Sequence, residues 1–216
     1  MKHILTLSDK TPLFEGLTRS VYINEQNPDY LIKIPSPAWR KKIAGFSRLR
    51  QLRKAIDINS PNTREIREYM RHFTDPDMAE NEKHLMQIAG IVSTDIGWGL
   101  LVKAEKDSSG SYAKPFGHYQ NDIPKYRQEI EDFIRWVKTT SIICYDLKFD
   151  NILLSSRNGK STLVLVDGIG ETGLFPLRAW CQKYNRAKNI HELHEFTDAL
   201  APFLDLKNRK KPSRRQ

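Results

Sequence analysis

The feature that most constrains this chain is one short run, Tyr145-Asp146-Leu147-Lys148-Phe149-Asp150-Asn151-Ile152-Leu153-Leu154. An Asp stands five residues before an Asn, a lysine lies between them, and the Asn opens an apolar strand. Arg157-Asn158-Gly159-Lys160 then reads as a tight turn, and Leu163 to Val166 as a return strand that ends in Asp167-Gly168. A solitary Asp and Asn at this spacing says little, because both side chains commonly cap local backbone. Their placement before an apolar strand, with a hairpin and a second Asp following and a strand lysine far upstream, is much harder to reach by accident.

Phosphoryl transfer needs this set of residue types. A carboxylate must orient an attacking hydroxyl and accept its proton. A carboxylate and an amide oxygen must hold Mg²⁺ on the nucleotide phosphates, and cations must neutralise the charge that develops on the transferred group. Asp146 suits the first role, Asn151 and Asp167 the metal pair, and Lys148 a cation near the moving phosphate. Two protein oxygens suffice, because Mg²⁺ leans on substrate phosphates and water.

Asp146-Leu147-Lys148-x-x-Asn151 resembles the D-L-K-x-x-N catalytic loop of the protein-kinase-like superfamily, and Asp167-Gly168 falls where that family's metal-binding D-F-G sits. The Phe is missing. The longer stretch Asp167-Gly168-Ile169-Gly170-Glu171, followed by Leu174 to Trp180, is similar to a narrower bacterial group, the YrbL family of PhoP-regulatory-network proteins. The resemblance is strong over residues 142–183 and collinear but weaker over residues 16–101. It implies an α+β, bilobal kinase-like fold, with ATP and Mg²⁺ as cofactors.

It also implies an N-terminal lobe whose parts can be sought one by one. Lys33, in Leu31-Ile32-Lys33-Ile34, matches the strand lysine of V-A-I-K that grips the α- and β-phosphates. Its expected partner is Glu68, with Glu65 one turn away as the alternative. The phosphate-covering loop falls at Leu13 to Tyr22 and departs from the family, with one glycine where three are usual. Gly16 matches, and Arg19 and Ser20 are expected to add side-chain contacts. The adenine-facing hinge falls at Val102 to Ala104.

Along the rest of the chain, Val21 to Ile23 and Tyr30 to Ile34 read as a hairpin around the Asn24 to Asp29 turn. Trp39 to Ile56 reads as one helix, Arg64 to Phe73 as a second capped by Asn62 or Thr63, and Met78 to Ala89 as a third. Ile91-Val92 and Gly99 to Val102 read as strands, and Ile123 to Thr139 as an amphipathic helix. The expected division is an N-lobe over 1–104, a shortened C-lobe over 105–206 and a basic tail over 207–216.

Composition narrows the setting. With 216 residues, 39% apolar and 28% charged, the chain has the profile of a soluble globular protein rather than a disordered one. The net charge of +9 favours anionic partners: a nucleotide, and through basic segments an anionic membrane surface or another phosphate-rich partner. The basic segments are Arg40 to Lys54 and Lys207 to Arg215. No nucleic-acid module is recognisable, so no specific nucleic-acid partner is expected. Cys144 and Cys181 have neither metal nor disulfide spacing and suit a cytoplasmic protein, with Cys144 reading as a small buried apolar group. The six histidines show no metal pattern and read as surface residues.

From Asp167 the chain runs only to Gln216, far short of the peptide-binding segment of eukaryotic-type kinases, and it contains no A-P-E counterpart. The acceptor therefore stays open: a small molecule, a lipid-linked sugar or a protein. A nucleotide-binding regulatory scaffold with little turnover is the alternative, favoured by the single glycine and the missing Phe.

Overall fold

The computed structural model describes residues 4–54, 56–73, 77–173 and 175–204. The basic tail at 207–216, and Leu174 within the motif stretch, lie outside the described residues.

The N-terminal part is built on an antiparallel sheet. Strands β1 (Phe14–Glu15), β2 (Arg19–Ile23) and β3 (Tyr30–Pro35) form the expected hairpin and its extension, with Val21 opposite Lys33. The predicted helix over 39–56 is two helices, α1 (Pro37–Ala44) and α2 (Arg48–Lys54). Gly45 ends α1, its N–H returning to the Lys41 carbonyl at 3.2 Å, and Ser47 Oγ accepts from Arg50 N to start α2. Helix α3 (Ser60–His72) starts earlier than predicted. Pro61 occupies its first turn, as its fixed φ favours, so Asn62 is free to turn inward rather than cap.

Helix α4 (Met78–His84) is shorter than predicted, because the chain is extended from Leu85. Residues assigned to its end belong to β4 (Ile88–Thr94), which pairs with β5 (Gly97–Lys103), and β5 pairs with β3. The sheet order is β1-β2-β3-β5-β4.

The C-terminal part is mostly helical. A 3-10 stretch containing Pro124 (Phe116–Tyr126) leads into α5 (Arg127–Thr139), so the helix begins four residues after the predicted Ile123. Strands β6 (Ile152–Arg157) and β7 (Lys160–Leu165) form a separate two-stranded hairpin. Its turn places Asn158 and Gly159 at φ of 52° and 74°, the left-handed pair that a two-residue hairpin turn requires. Helices α6 (Leu177–Trp180) and α7 (Gln182–Leu204) complete the chain.

The main core sits in this second part, where Phe116, Phe133, Ile142, Ile152 and Phe196 are fully buried, and it reaches Leu85, Met86 and Leu100 in the first. A smaller cluster of Leu7, Tyr22, Ile32 and Ile34 covers the other face of the sheet. The architecture is α+β: a sheet-rich N-terminal lobe and a helical C-terminal lobe, arranged as in a kinase-like bilobal fold.

Candidate nucleotide and phosphotransfer site

Strand alternation decides which side chains face the junction between the two parts. Ile32 and Ile34 point to the outer cluster, so Lys33 points the opposite way, toward α3. There Lys33 Nζ donates to Glu65 Oε2 at 2.8 Å and to the Val166 carbonyl at 2.7 Å, and meets Met86 Sδ at 3.4 Å. Asn62 Nδ2 donates to the Lys33 carbonyl at 3.0 Å and fixes the strand against the helix. Burial pushes the Lys33 ammonium below its ordinary range and neighbouring Arg19 pushes the same way, while Glu65 and Asp167 oppose both.

The partner of Lys33 is therefore Glu65, not Glu68. Glu68 lies three residues on, rotated around α3 toward the second lobe. Its Oε1 accepts from Ile143 N at 2.7 Å and from Arg71 Nη2 at 2.6 Å, and lies 3.2 Å from His72 Nε2. Burial disfavours the ionised Glu68 carboxylate, but hydrogen bonds from His72, Arg71 and Ile143 outweigh it and hold its pKa below the usual value. Glu68 is a brace on the chain just before the catalytic-loop motif. His72, like His84, is buried rather than exposed.

The same alternation separates Arg19 from Ser20. Arg19 enters the cleft, where Nη1 lies 2.6 Å from Glu65 Oε2 and Nη2 pairs with Asp167 Oδ1. Burial works against its charge, and the two carboxylates overcome that and raise its pKa. Ser20 faces the opposite side, away from Arg19 and Lys33, lining a hollow with Tyr22, Ile34, Arg40 and Asp95. Gly16 sits in the tight β1–β2 turn, its N–H donating to the Arg19 carbonyl at 2.8 Å. Val102 lies on the Lys33 face of the sheet but is packed into the core rather than against the charged residues.

The motif loop is positioned by the Asp167-Gly168 segment. Tyr145 N donates to the Gly168 carbonyl at 2.8 Å, and Gly170 N to the Ile143 carbonyl at 2.9 Å. Gly168 has φ +84°, and a Cβ there would stand 2.7 Å from the Asp146 carbonyl oxygen, so only glycine lets the segments approach this closely. The buried Ile169 follows and packs into the main core. Lys148 Nζ lies 2.8 Å from Asp146 Oδ1, and that hydrogen bond raises the Lys148 pKa. Asn151 Nδ2 donates to the Asp146 carbonyl at 3.0 Å, while its main-chain carbonyl accepts from Val166 N at 2.9 Å. These bonds bring Asp146, Lys148, Asn151 and Asp167 together around one strand end.

The residues fit a magnesium ion. Asn151 spends its amide N–H on the loop, which leaves Oδ1 as a hard oxygen donor that could serve with Asp167. Asp167 is held ionised: burial opposes its charge, and Arg19, Lys33 and the Gly168 N–H at 2.6 Å overcome it. Among the described residues, no group of three or more His, Cys, Asp or Glu is arranged to hold a metal alone.

A second group of polar residues behind the loop escapes sequence reasoning. Arg178 Nη2 donates to the Cys144 carbonyl and to Asn189 Oδ1, both at 2.7 Å, and Nε donates to Asn185 Oδ1 at 3.1 Å. Asn189 Oδ1 accepts from Cys144 N at 3.0 Å, and the amides of Asn185 and Asn189 donate to the Ser141 and Ile142 carbonyls. A signal for them existed. Asn185 and Asn189 continue the stripe of Leu193, Phe196 and Leu200 on α7, placing amides where only apolar groups are expected. Cys144 is fully buried, and burial raises its thiol pKa out of the reactive range.

A strand lysine paired with a helix glutamate in the N-terminal lobe and reaching the Val166 carbonyl of the other, with an Asp-Gly segment laid against a D-L-K-x-x-N loop, places the molecule in the kinase-like class. The family model described as PhoP regulatory network protein YrbL matches residues 5–201, and the chain belongs to that family. It is 23% identical over 184 residues to the uncharacterized protein YrbL of Escherichia coli (strain K12), covering 82% of this chain and 79% of that protein. The same figures hold for the Shigella flexneri protein of that name. Among solved structures, Rad53 1–466 in complex with AMP-PNP is similar with a TM-score of 0.45 and 15% identity, over 74% of this chain and 38% of that one. The CAK complex of Chaetomium thermophilum bound to ATP-gamma-S is similar with a TM-score of 0.41 and 16% identity, over 76% of this chain and 45% of that one. The chain thus spans less than half the length of either structure's matched chain.

Proposed function

We propose that this protein is an ATP-dependent, kinase-type phosphotransferase. The observation that carries this reading is the buried Lys33–Glu65 pair at 2.8 Å, set beside Asp167 and one segment away from Asp146. In this reading Lys33 grips the nucleotide phosphates, Asp167 and Asn151 hold magnesium, Asp146 takes the proton of the attacking hydroxyl, and Lys148 screens the charge on the moving phosphoryl group. Val102 and its neighbours border the base. The acceptor carries a hydroxyl and belongs to a small molecule, a lipid-linked sugar or a protein; the basic surface favours one presented at a phosphate-rich face.

The test is thermal stability with and without Mg-ATP. A ligand that binds only the folded chain at about 100 times its Kd adds about 2.7 kcal/mol. The parent midpoint is expected to rise and Asp167→Ala to lose the magnesium-dependent part of that rise; an unchanged rise in the variant removes Asp167 from the metal site. Asp146→Asn is expected to keep the midpoint rise and to lower transfer by ~10²-fold or more. Turnover equal to the parent would remove Asp146 as the base.

One observation favours a second reading, a nucleotide-binding regulatory scaffold of the YrbL type with little turnover. Arg19 is paired with Asp167, on the carboxylate that magnesium needs. ATP binding without phosphate transfer to any component of a cell extract would select it.

A further inference from the structure

The phosphotransfer reading uses Lys33, Glu65 and Asp167, while Arg19, expected from the sequence to contact the phosphates, is bound to Glu65 and Asp167 instead. Arg19 is 4% exposed, and it approaches both carboxylates of the cleft at once. Arg19 and Lys33 carry two positive charges, and Glu65 and Asp167 two negative ones, so the group is neutral as it stands. A divalent cation entering alone would add charge to a balanced, buried cluster and strand the guanidinium without a counter-ion, which is unfavourable in a low-dielectric site.

The cluster is also incomplete. Arg19 Nε is buried with no hydrogen-bond partner among the described residues, and Glu65 Oε1 likewise lacks one. A guanidinium presents five donors, and a buried one ordinarily has them met. The acceptor that Arg19 Nε lacks is of the kind that a polyphosphate supplies, and arginine recognises phosphate by paired donors.

We propose that Arg19 is a resident cation in the magnesium seat: it holds Asp167 until a nucleotide arrives, then transfers to the phosphate oxygens and frees Asp167 for the metal. Metal binding is then strictly linked to nucleotide. The inference rests on the phosphotransfer reading for the identity of the anion, but its first half concerns only Arg19, Asp167 and a metal.

The test uses Mn²⁺ as the probe and reads free Mn²⁺ by electron paramagnetic resonance, with no turnover needed. Without nucleotide, Arg19→Gln is expected to bind Mn²⁺ ~10-fold or more tightly than the parent, and adding Asp167→Asn to that variant is expected to abolish the gain. With ATP, the parent is expected to take up more Mn²⁺ than the same ATP binds in a protein-free control. A parent that binds Mn²⁺ without nucleotide as tightly as Arg19→Gln overturns the proposal, as does a folded Arg19→Gln that gains no site. Should Arg19→Gln fail to fold, Arg19→Lys replaces it. Its single shorter ammonium cannot bridge both carboxylates, and it is expected to admit Mn²⁺ more tightly than the parent. Equal binding overturns the idea. ATP that fails to shift the parent midpoint overturns the phosphotransfer reading and the handover with it. ATP that binds with no Mn²⁺ uptake beyond the protein-free control overturns the handover alone.

Discussion

The two buried polar clusters on either side of the motif loop are opposites. In front, Arg19, Lys33, Glu65 and Asp167 pair with each other's charges, only Lys33 and Asp167 also meeting backbone, and Arg19 Nε and Glu65 Oε1 go unmet among the described residues. Behind, Arg178, Asn185 and Asn189 bond to the main chain of residues 141–144 and to one another, and none of their atoms is orphaned among the described residues. Satisfied bonds to backbone have nothing to gain from a ligand. Mutually neutralised charges with unmet donors have partners to exchange. The contrast separates scaffold from site more sharply than burial does, since Arg19, Lys33 and Glu65 are as hidden as Arg178, Asn185 and Asn189.

Variants can break this comparison. Arg178→Ala strands the Cys144 carbonyl and Asn185 Oδ1, and is expected to cost about 3 kcal/mol, a fall of roughly 6 to 12 °C in the midpoint. Arg19→Gln should cost much less, because Glu65 keeps Lys33 and Asp167 is partly exposed. Thermal melts that rank these two the other way would erase the distinction between scaffold and site.

Gly168→Ala sharpens the comparison at the boundary between the clusters. Its φ of +84° and the 2.7 Å approach to the Asp146 carbonyl predict a loss of about 1 to 3 kcal/mol by denaturant unfolding. The displaced Asp146 should lower transfer further than stability alone explains. An unchanged unfolding midpoint would show that the loop tolerates separation from the Asp-Gly segment.

An effect of similar size is expected to depend on pH. Glu68 has a folded pKa below its ordinary 4.5, so its contribution is fully present above 4.5 and is lost as pH falls through the folded value. Glu68→Gln should be less stable than the parent by about 1 to 3 kcal/mol at neutral pH, with the gap closing in acid. A gap that stays constant from pH 7 to pH 3 would remove the carboxylate charge as the cause.

Much of the frame was legible in the residues: the β2–β3 hairpin, the β6–β7 hairpin with its Asn158-Gly159 turn, and the strand lysine upstream of an Asp-Asn loop. The errors cluster where a local pattern had two solutions. Gly45 inside an apolar periodicity of three is tolerated or terminal, and here it ends α1. Ile88 and Ala89 continue a helical pattern equally well as they begin a strand, and pairing with β5 settled it.

The chain's order of residue types was sufficient to bring Lys33, Asp146, Asn151 and Asp167 into one reading, because that chemistry needs particular side chains at particular intervals. It was not sufficient to choose Glu65 over Glu68, to send Ser20 away from the cleft or to lodge Arg19 on Asp167. Those outcomes depend on which way a strand faces and how a helix is rotated, and a rotation of one residue position moves a side chain from one lobe to the other. The sequence by itself therefore determined the kind of chemistry the chain can support. Only the packing of α3 between β3 and the motif loop decided which charges meet.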